Sequence, residues 1–345
     1  MPPVHDPWGS AEAVEPLVLA EIEATATLIS PFIVPTPVHA WRGREIEDLI
    51  GGETRAVLKL ELFQHSGSFK ARGALSVILR LSEDQRRRGL TAVSAGNHAI
   101  AVAYGASIVG SSAKLVMLST ASPARIEAAR AYGAEVVIVE GGAAAFAAAE
   151  GIAAAEGRTL IHPFEGKNTS LGAATLGLEF ARQAGGLDAV IVAIGGGGLA
   201  SGVASAFKLV QPDCQVIGVE PEGADTMHRS FAAGTPQALA TVSTIATSLA
   251  PPMALPYSFA LCRANVDQLV KVDDEALCAA MLAMFHGMKL AVEPAAAAAV
   301  AALAGPLNEP LRGRRVGLVI CGTNIDAENY GAYLRRGALQ RVADR

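Results

Sequence analysis

From about residue 55 onward, short runs rich in valine and isoleucine alternate with segments of helical spacing, and this alternation limits the fold more than any other feature. Residues 57–61, 91–94, 114–119, 136–140, 189–194, 216–220 and 316–320 read as strands. Residues 68–81, 97–109 and 143–156 read as helices, as does a segment that starts at Pro123 and ends at Tyr132-Gly133. Proline suits a first helical turn and glycine a helix end. Strands apolar on both faces, separated by helices, belong to a mainly parallel sheet covered on both sides. The expected fold class is therefore α/β. At 345 residues the chain is long enough for two domains. No repeat of 20–50 residues interrupts the alternation.

Composition narrows the function. Hydrophobic residues make up 51% of the chain and charged residues 18%, which supplies a core and excludes general disorder. Net charge is −5 with no basic stripe, which argues against a nucleic-acid partner. The four cysteines, Cys214, Cys262, Cys278 and Cys321, form no CxxC pair, and the seven histidines lack metal-ligand spacing. The N-terminal stretch to Leu17 lacks the basic and apolar regions of a signal peptide. The longest apolar run, 295–305, is short of the ~20 residues a membrane span needs. A reducing, cytoplasmic location is expected, with no membrane partner.

Four motifs carry candidate chemistry. In Ser66-Gly67-Ser68-Phe69-Lys70, amides and hydroxyls converge just before a helix. The lysine in its first turn sits near the positive end of the helix dipole, which favours the neutral, nucleophilic amine. The alternative is a capping serine and a solvated lysine. Ser94-Ala95-Gly96-Asn97-His98, at a strand-to-helix junction, has groups to hold a carboxylate or phenolate oxygen, or simply a helix cap. Gly195-Gly196-Gly197-Gly198 lets the backbone approach a phosphate at a helix N-terminus. Read as an approximate GxGxxG, with Glu220 as the ribose-binding acid, the same run suits a nicotinamide dinucleotide. Cys321-Gly322-Thr323-Asn324 follows an apolar strand, where ligands of open α/β sheets bind; the cysteine is otherwise a small buried hydrophobe.

Taken in order, with Gly218-Val219-Glu220-Pro221 and Val292-Glu293-Pro294, these motifs resemble the fold-type II pyridoxal-phosphate enzymes, which are tryptophan synthase β-like. Within them the chain looks most similar to the serine/threonine dehydratases and serine racemases, from about Pro35 to Tyr330. The resemblance implies two domains with mainly parallel sheets: a large one from 1–86 and 168–345, and a small inserted one from 87–167. It implies that Lys70 links covalently to pyridoxal 5′-phosphate and serves as the catalytic base. Phe69 packs beside the ring, Asn97 bonds its phenolic oxygen, Gly195 to Gly198 cradle the phosphate and Cys321 faces the ring nitrogen. Ser66, Ser68, Ser94 and His98 hold the amino-acid substrate, and Glu293 lies near the ring or serves as a first-turn acid. It also implies a homodimer.

The activity implied is an ammonia-lyase reaction: L-threonine, L-serine or a bulkier 3-hydroxy amino acid goes to a 2-oxo acid and ammonia. Racemisation or β-replacement on the same cofactor is the alternative, with a nicotinamide-dependent oxidoreductase third. Racemases of the family carry a serine at the Ala95 position as a second base, so alanine favours elimination. Ala246-Thr247-Ser248-Leu249 replaces the usual Ala-Asp-Gly-Leu beside the substrate, which affects side-chain preference. Residues 171–175 replace the usual Gly-Gln-Gly-Thr. A divalent cation of relatives would use Glu220, although an acid is replaced by Thr226 and Asp225 stands one residue away. No regulatory segment is expected beyond Arg345.

Overall fold

A computed structural model describes residues 14–343; the first 13 residues of the N-terminal stretch discussed above lie outside them. The alternation resolves into two sheets. The first has the order β1 (Val38–Ala40), β2 (Arg55–Leu60), β10 (Arg315–Ile320), β7 (Ala189–Ala193), β8 (Gln215–Pro221), β9 (Gln268–Val272). The second has the order β5 (Glu135–Val139), β4 (Ala113–Leu118), β3 (Leu90–Val93), β6 (Thr159–Leu160). Every pairing is parallel except β1 with β2. All four strands of the second sheet fall within residues 90–160, between two strands of the first.

Strand boundaries lie within a residue or two of those expected. Three strands were not legible. β1 and β6 have only three and two residues, too few for a period. β9 is an edge strand with mixed burial. The helix expected over 68–81 is shorter, Lys70–Ile78, because Ser68 is extended at φ −164°, ψ 163°.

Two alanine-rich segments show why composition does not settle position. Pro294–Ala304 is buried on nearly all sides against β7 and β10; its small side chains let the backbone approach the sheet. Gly142–Glu156 covers β3 and β4 but buries only part of its surface, through Ala145, Ala149 and neighbours.

Beneath the Lys70 helix lies a buried ionic cluster. Arg72 is fully buried and grips Glu61 with Nε (2.9 Å) and Nη2 (2.8 Å), while Nη2 also reaches Glu179 at 3.1 Å. Lys59 spends its three protons on Glu179 (2.5 Å), Gln183 (2.7 Å) and the Thr36 carbonyl (2.7 Å). Two cations face two carboxylates, so burial leaves no uncompensated charge. The cluster ties β2, the Lys70 helix and the helix Lys167–Ala184 together.

Candidate active site

All four motifs stand just beyond the C-terminal ends of strands, β2, β3, β7 and β10. The two loops after β2 and β10 are stitched together by backbone. Phe69 N–H donates to the Cys321 carbonyl at 3.0 Å, and Thr323 N–H to the Gly67 carbonyl at 2.9 Å. Ser66 is held at φ 64°, a left-handed backbone that a residue with a side chain adopts at a cost. Neither serine caps the helix that follows: the Oγ atoms of Ser66 and Ser68 are buried without a partner. Buried hydroxyls are normally bonded, so both are free to accept or donate to a ligand.

Lys70 opens its helix half-buried, and its Nζ donates to the Pro163 carbonyl at 2.5 Å. Burial pushes its pKa down to about 8, against the opposing pull of Cys321 and Glu293. Desolvation, rather than the helix dipole invoked from sequence, is the first cause. Beside it stands His98, whose Nε2 meets the Ile161 carbonyl at 2.8 Å. Burial and the nearby Lys70 lower His98 to about 3, so its ring is neutral. His162, buried near both, is lowered to about 3 for the same reasons. Cys321 is buried and its thiol is pushed far above the usual range by burial and by Glu293.

The glycine run joins β7 to the helix Gly198–Val210. Gly197 has φ +91°, and a Cβ there would meet Met227 Cε at 2.9 Å. A Cβ on Gly196 would fall 2.3 Å from the Phe164 ring, and one on Gly198 2.7 Å from the Phe164 carbonyl. The loop is thus packed as bare backbone, with the first-turn N–H groups of the helix lacking intrahelical acceptors.

Asn97 does not act as a helix cap. It is buried, and its Nδ2 donates to Glu293 Oε1 (2.5 Å) and Ser248 Oγ (3.3 Å). Its Oδ1 accepts from Asn324 Nδ2 at 2.7 Å. Ser94 instead turns its Oγ onto the Gly96 N–H at 3.0 Å. Glu293, almost fully buried, is also bonded by Ser248 Oγ (2.8 Å) and Arg125 Nη2 (2.9 Å). Arg125, Ser248 and Pro163 were not singled out as site residues from sequence. The displaced Ala-Asp-Gly-Leu pattern was a signal for Ser248. Arg125, 168 residues from Glu293, carried none.

Glu220 is placed otherwise than expected. Its carboxylate accepts from Met227 N (2.7 Å), His228 N (2.8 Å) and His228 Nδ1 (2.6 Å), at the start of the helix Thr226–Ala233. Fully buried and spent on that helix, it is unavailable to a ribose. Asp225 is paired with Arg229 (2.8 Å) and Lys271 (3.3 Å). Among the described residues no group of three or more His, Cys, Asp or Glu is placed to hold a metal ion. The divalent cation expected at Glu220 is therefore unsupported.

A half-buried lysine of lowered pKa, a bare glycine loop at a helix N-terminus and orphan serine hydroxyls, set in two mainly parallel sheets, are the features of a cofactor-dependent α/β enzyme. The chain belongs to the family described as Pyridoxal-phosphate dependent enzyme, which matches residues 29–322. It is 56% identical over 284 residues to phenylserine dehydratase of Ralstonia pickettii, covering 82% of this chain and 87% of that one. It is 36% identical to L-threonine ammonia-lyase of Thermotoga maritima, covering 86% and 73%. The solved structure of maize serine racemase superposes with a TM-score of 0.86 at 30% identity, covering 95% and 99%. No helix of the described residues is long and apolar enough to cross a membrane.

Proposed function

We propose that this protein is a pyridoxal-phosphate-dependent ammonia-lyase that converts a 3-hydroxy amino acid with an aryl side chain to a 2-oxo acid and ammonia. The observation that carries the reaction class is Lys70, a half-buried amine with a pKa of about 8 that lines one cavity with Gly198 of the bare glycine loop. The 56% identity to a phenylserine dehydratase supports the aryl side chain.

The donor set fits the cofactor. The amides at Gly195, Gly196, Gly197 and Gly198 suit its phosphate, the Asn97 amide its phenolic oxygen, and Phe69 the side of its ring. Ser66 and Ser68 offer two unpaired buried hydroxyls to the substrate, whereas the Ser94 hydroxyl already accepts from the Gly96 N–H. His98 is already bonded to a carbonyl, so it contributes only its other ring nitrogen or its bulk. When bound, the cofactor draws electrons from the substrate's Cα and so makes its hydrogen acidic. Lys70, neutral in a substantial fraction near pH 8, accepts that proton. Cys321 stays a thiol and offers the ring nitrogen no ionic partner. Ala95 carries no base, which would favour loss of the β-hydroxyl over reprotonation. That loss and the following hydrolysis balance: one water leaves, one is consumed, and ammonia is released.

Residues 87–167, which enclose the second sheet, read as a small domain inserted into a large one made by 1–86 and 168–345. The free state of all four cysteines supports a reducing cytoplasm.

Borohydride reduction of the holoenzyme followed by peptide mapping tests the site: the cofactor belongs on Lys70, and Lys70→Ala should lose both linkage and turnover. Reduced cofactor on another lysine overturns the assignment. Chiral chromatography beside an oxo-acid assay tests the reaction: D-amino acid forming as fast as oxo acid would replace the lyase reading with a racemase.

A further inference from the structure

Arg125 enters the site from the helix Pro123–Ala131, which belongs to the four-stranded half, and is bonded through all three guanidinium nitrogens to the six-stranded half. Nη2 donates to Glu293 Oε2 (2.9 Å), Nε to the Asn324 carbonyl (2.8 Å) and Nη1 to Thr247 Oγ1 (3.0 Å). Its side chain lies across the Ser94–Asn97 turn: a Cβ on Gly96 would come within 2.9 Å of Arg125 Cδ. The first two acceptors are the residues that hold the Asn97 amide. Glu293 takes Asn97 Nδ2 on one side, and Asn324 donates to Asn97 Oδ1 on the other. A carboxylate only accepts, so the amide is locked with one Nδ2 hydrogen on Glu293, and the other, on a long 3.3 Å contact to Ser248 Oγ, is the one left for a ligand. The Thr247 hydroxyl comes from the segment whose sequence departs from the family's pattern.

We propose that Arg125 is a positioning residue: by gripping Glu293 and Asn324 together it fixes the Asn97 amide and closes the turn over the substrate. The proposal deepens the lyase reading and rests on its assignment of Asn97. Arg125 touches neither Lys70 nor the glycine loop in any hydrogen bond described above, so it acts through its partners. Thr247 matters because a neutral hydroxyl, unlike a second acid, leaves the guanidinium charge to Glu293.

The test uses holoenzyme of wild type, Arg125→Met, Arg125→Lys and Thr247→Val, with Asn97→Ala as control. Removing a residue that orients a ligand-binding partner typically costs about 10–100-fold. Arg125→Met should lower kcat by that factor and alter the visible absorption of the bound cofactor and its pH titration, and Asn97→Ala should alter them in the same way. Arg125→Lys should restore part of both, and Thr247→Val, which removes one acceptor only, should move both slightly in the same direction. If Arg125→Met lowers thermal stability but leaves kcat and the absorption of the folded enzyme unchanged, the residue is merely structural and the proposal fails. If Arg125→Met does not fold, wild-type kcat and absorption in both Arg125→Lys and Thr247→Val would overturn it. Should Asn97→Ala leave the absorption untouched, the assignment of Asn97 fails instead, which separates the two ideas.

Discussion

Two buried polar clusters lie on either side of the Lys70 helix, and they are built from the same materials to different ends. Below it, Arg72, Glu61, Lys59 and Glu179 pair within the six-stranded half, each cation saturated by short bonds. Above it, Arg125, Glu293, Asn97, Ser248 and Asn324 join the two halves. Next to that second cluster, Ser66 and Ser68 keep unpaired hydroxyls and Lys70 keeps a pKa of about 8. The lower cluster holds the helix in place; beside the upper one, the Ser66 and Ser68 hydroxyls are left without a partner. Burial and charge alone do not mark function. What sets the upper region apart is that unpaired hydroxyls and a lysine of lowered pKa stand together beside the contact between the two sheets.

The sharpest way to break this contrast is Arg72→Met, which strands Glu61 as an uncompensated buried carboxylate. It should cost about 3–5 kcal/mol in denaturant unfolding, while the enzyme that remains folded keeps its kcat within a few-fold. Unchanged stability with lost turnover would place Arg72 in the same class as the upper cluster. Next in size is Gly197→Val. A β-branched residue in left-handed backbone costs about 1–2 kcal/mol, and its side chain meets Met227 and Ser258. The protein should fold and bind the cofactor about tenfold more weakly in an absorbance titration. Equal affinity would remove the loop from the site.

The smallest effect comes from the neutral histidines on the upper side. His98 and His162 have folded pKa values near 3 against an ordinary 6.5. The unfolded chain therefore binds protons first, so their contribution is fully present above pH 6.5 and is lost as pH falls toward 3. One unit below 6.5, each should cost about 1.4 kcal/mol. A thermal melting series from pH 7 to 5 should fall more steeply for wild type than for His98→Asn. Equal slopes would show that His98 is not held neutral by burial.

Much of this was readable from the chain. Strand positions followed from Val- and Ile-rich runs, because strands buried on both faces leave continuous apolar segments. The motifs at Lys70, Asn97, the glycine loop and Cys321 stood out as an ordered set that resembles a family; taken alone, a capping serine, a helix cap or a small buried hydrophobe explained most of them as well. Glu220 shows the limit. Its spacing from the glycine run matched a ribose-binding acid and its position a cation ligand, yet it caps a helix six residues later. Spacing records distance along the chain, not which partner the carboxylate finds.

The sequence by itself determined the alternation, the order of the four motifs and the absence of a side-chain base at Ala95. These are properties of neighbouring residues and survive without a fold. Only the tertiary structure decided that Ser66 and Ser68 are orphaned, that burial lowers Lys70, and that Arg125 meets Glu293. Each of these depends on solvent exclusion or on contacts across more than a hundred residues. No local pattern encodes them, because a carboxylate or an amine has the same identity in the sequence whether it ends in water, in an ion pair, or buried without a partner.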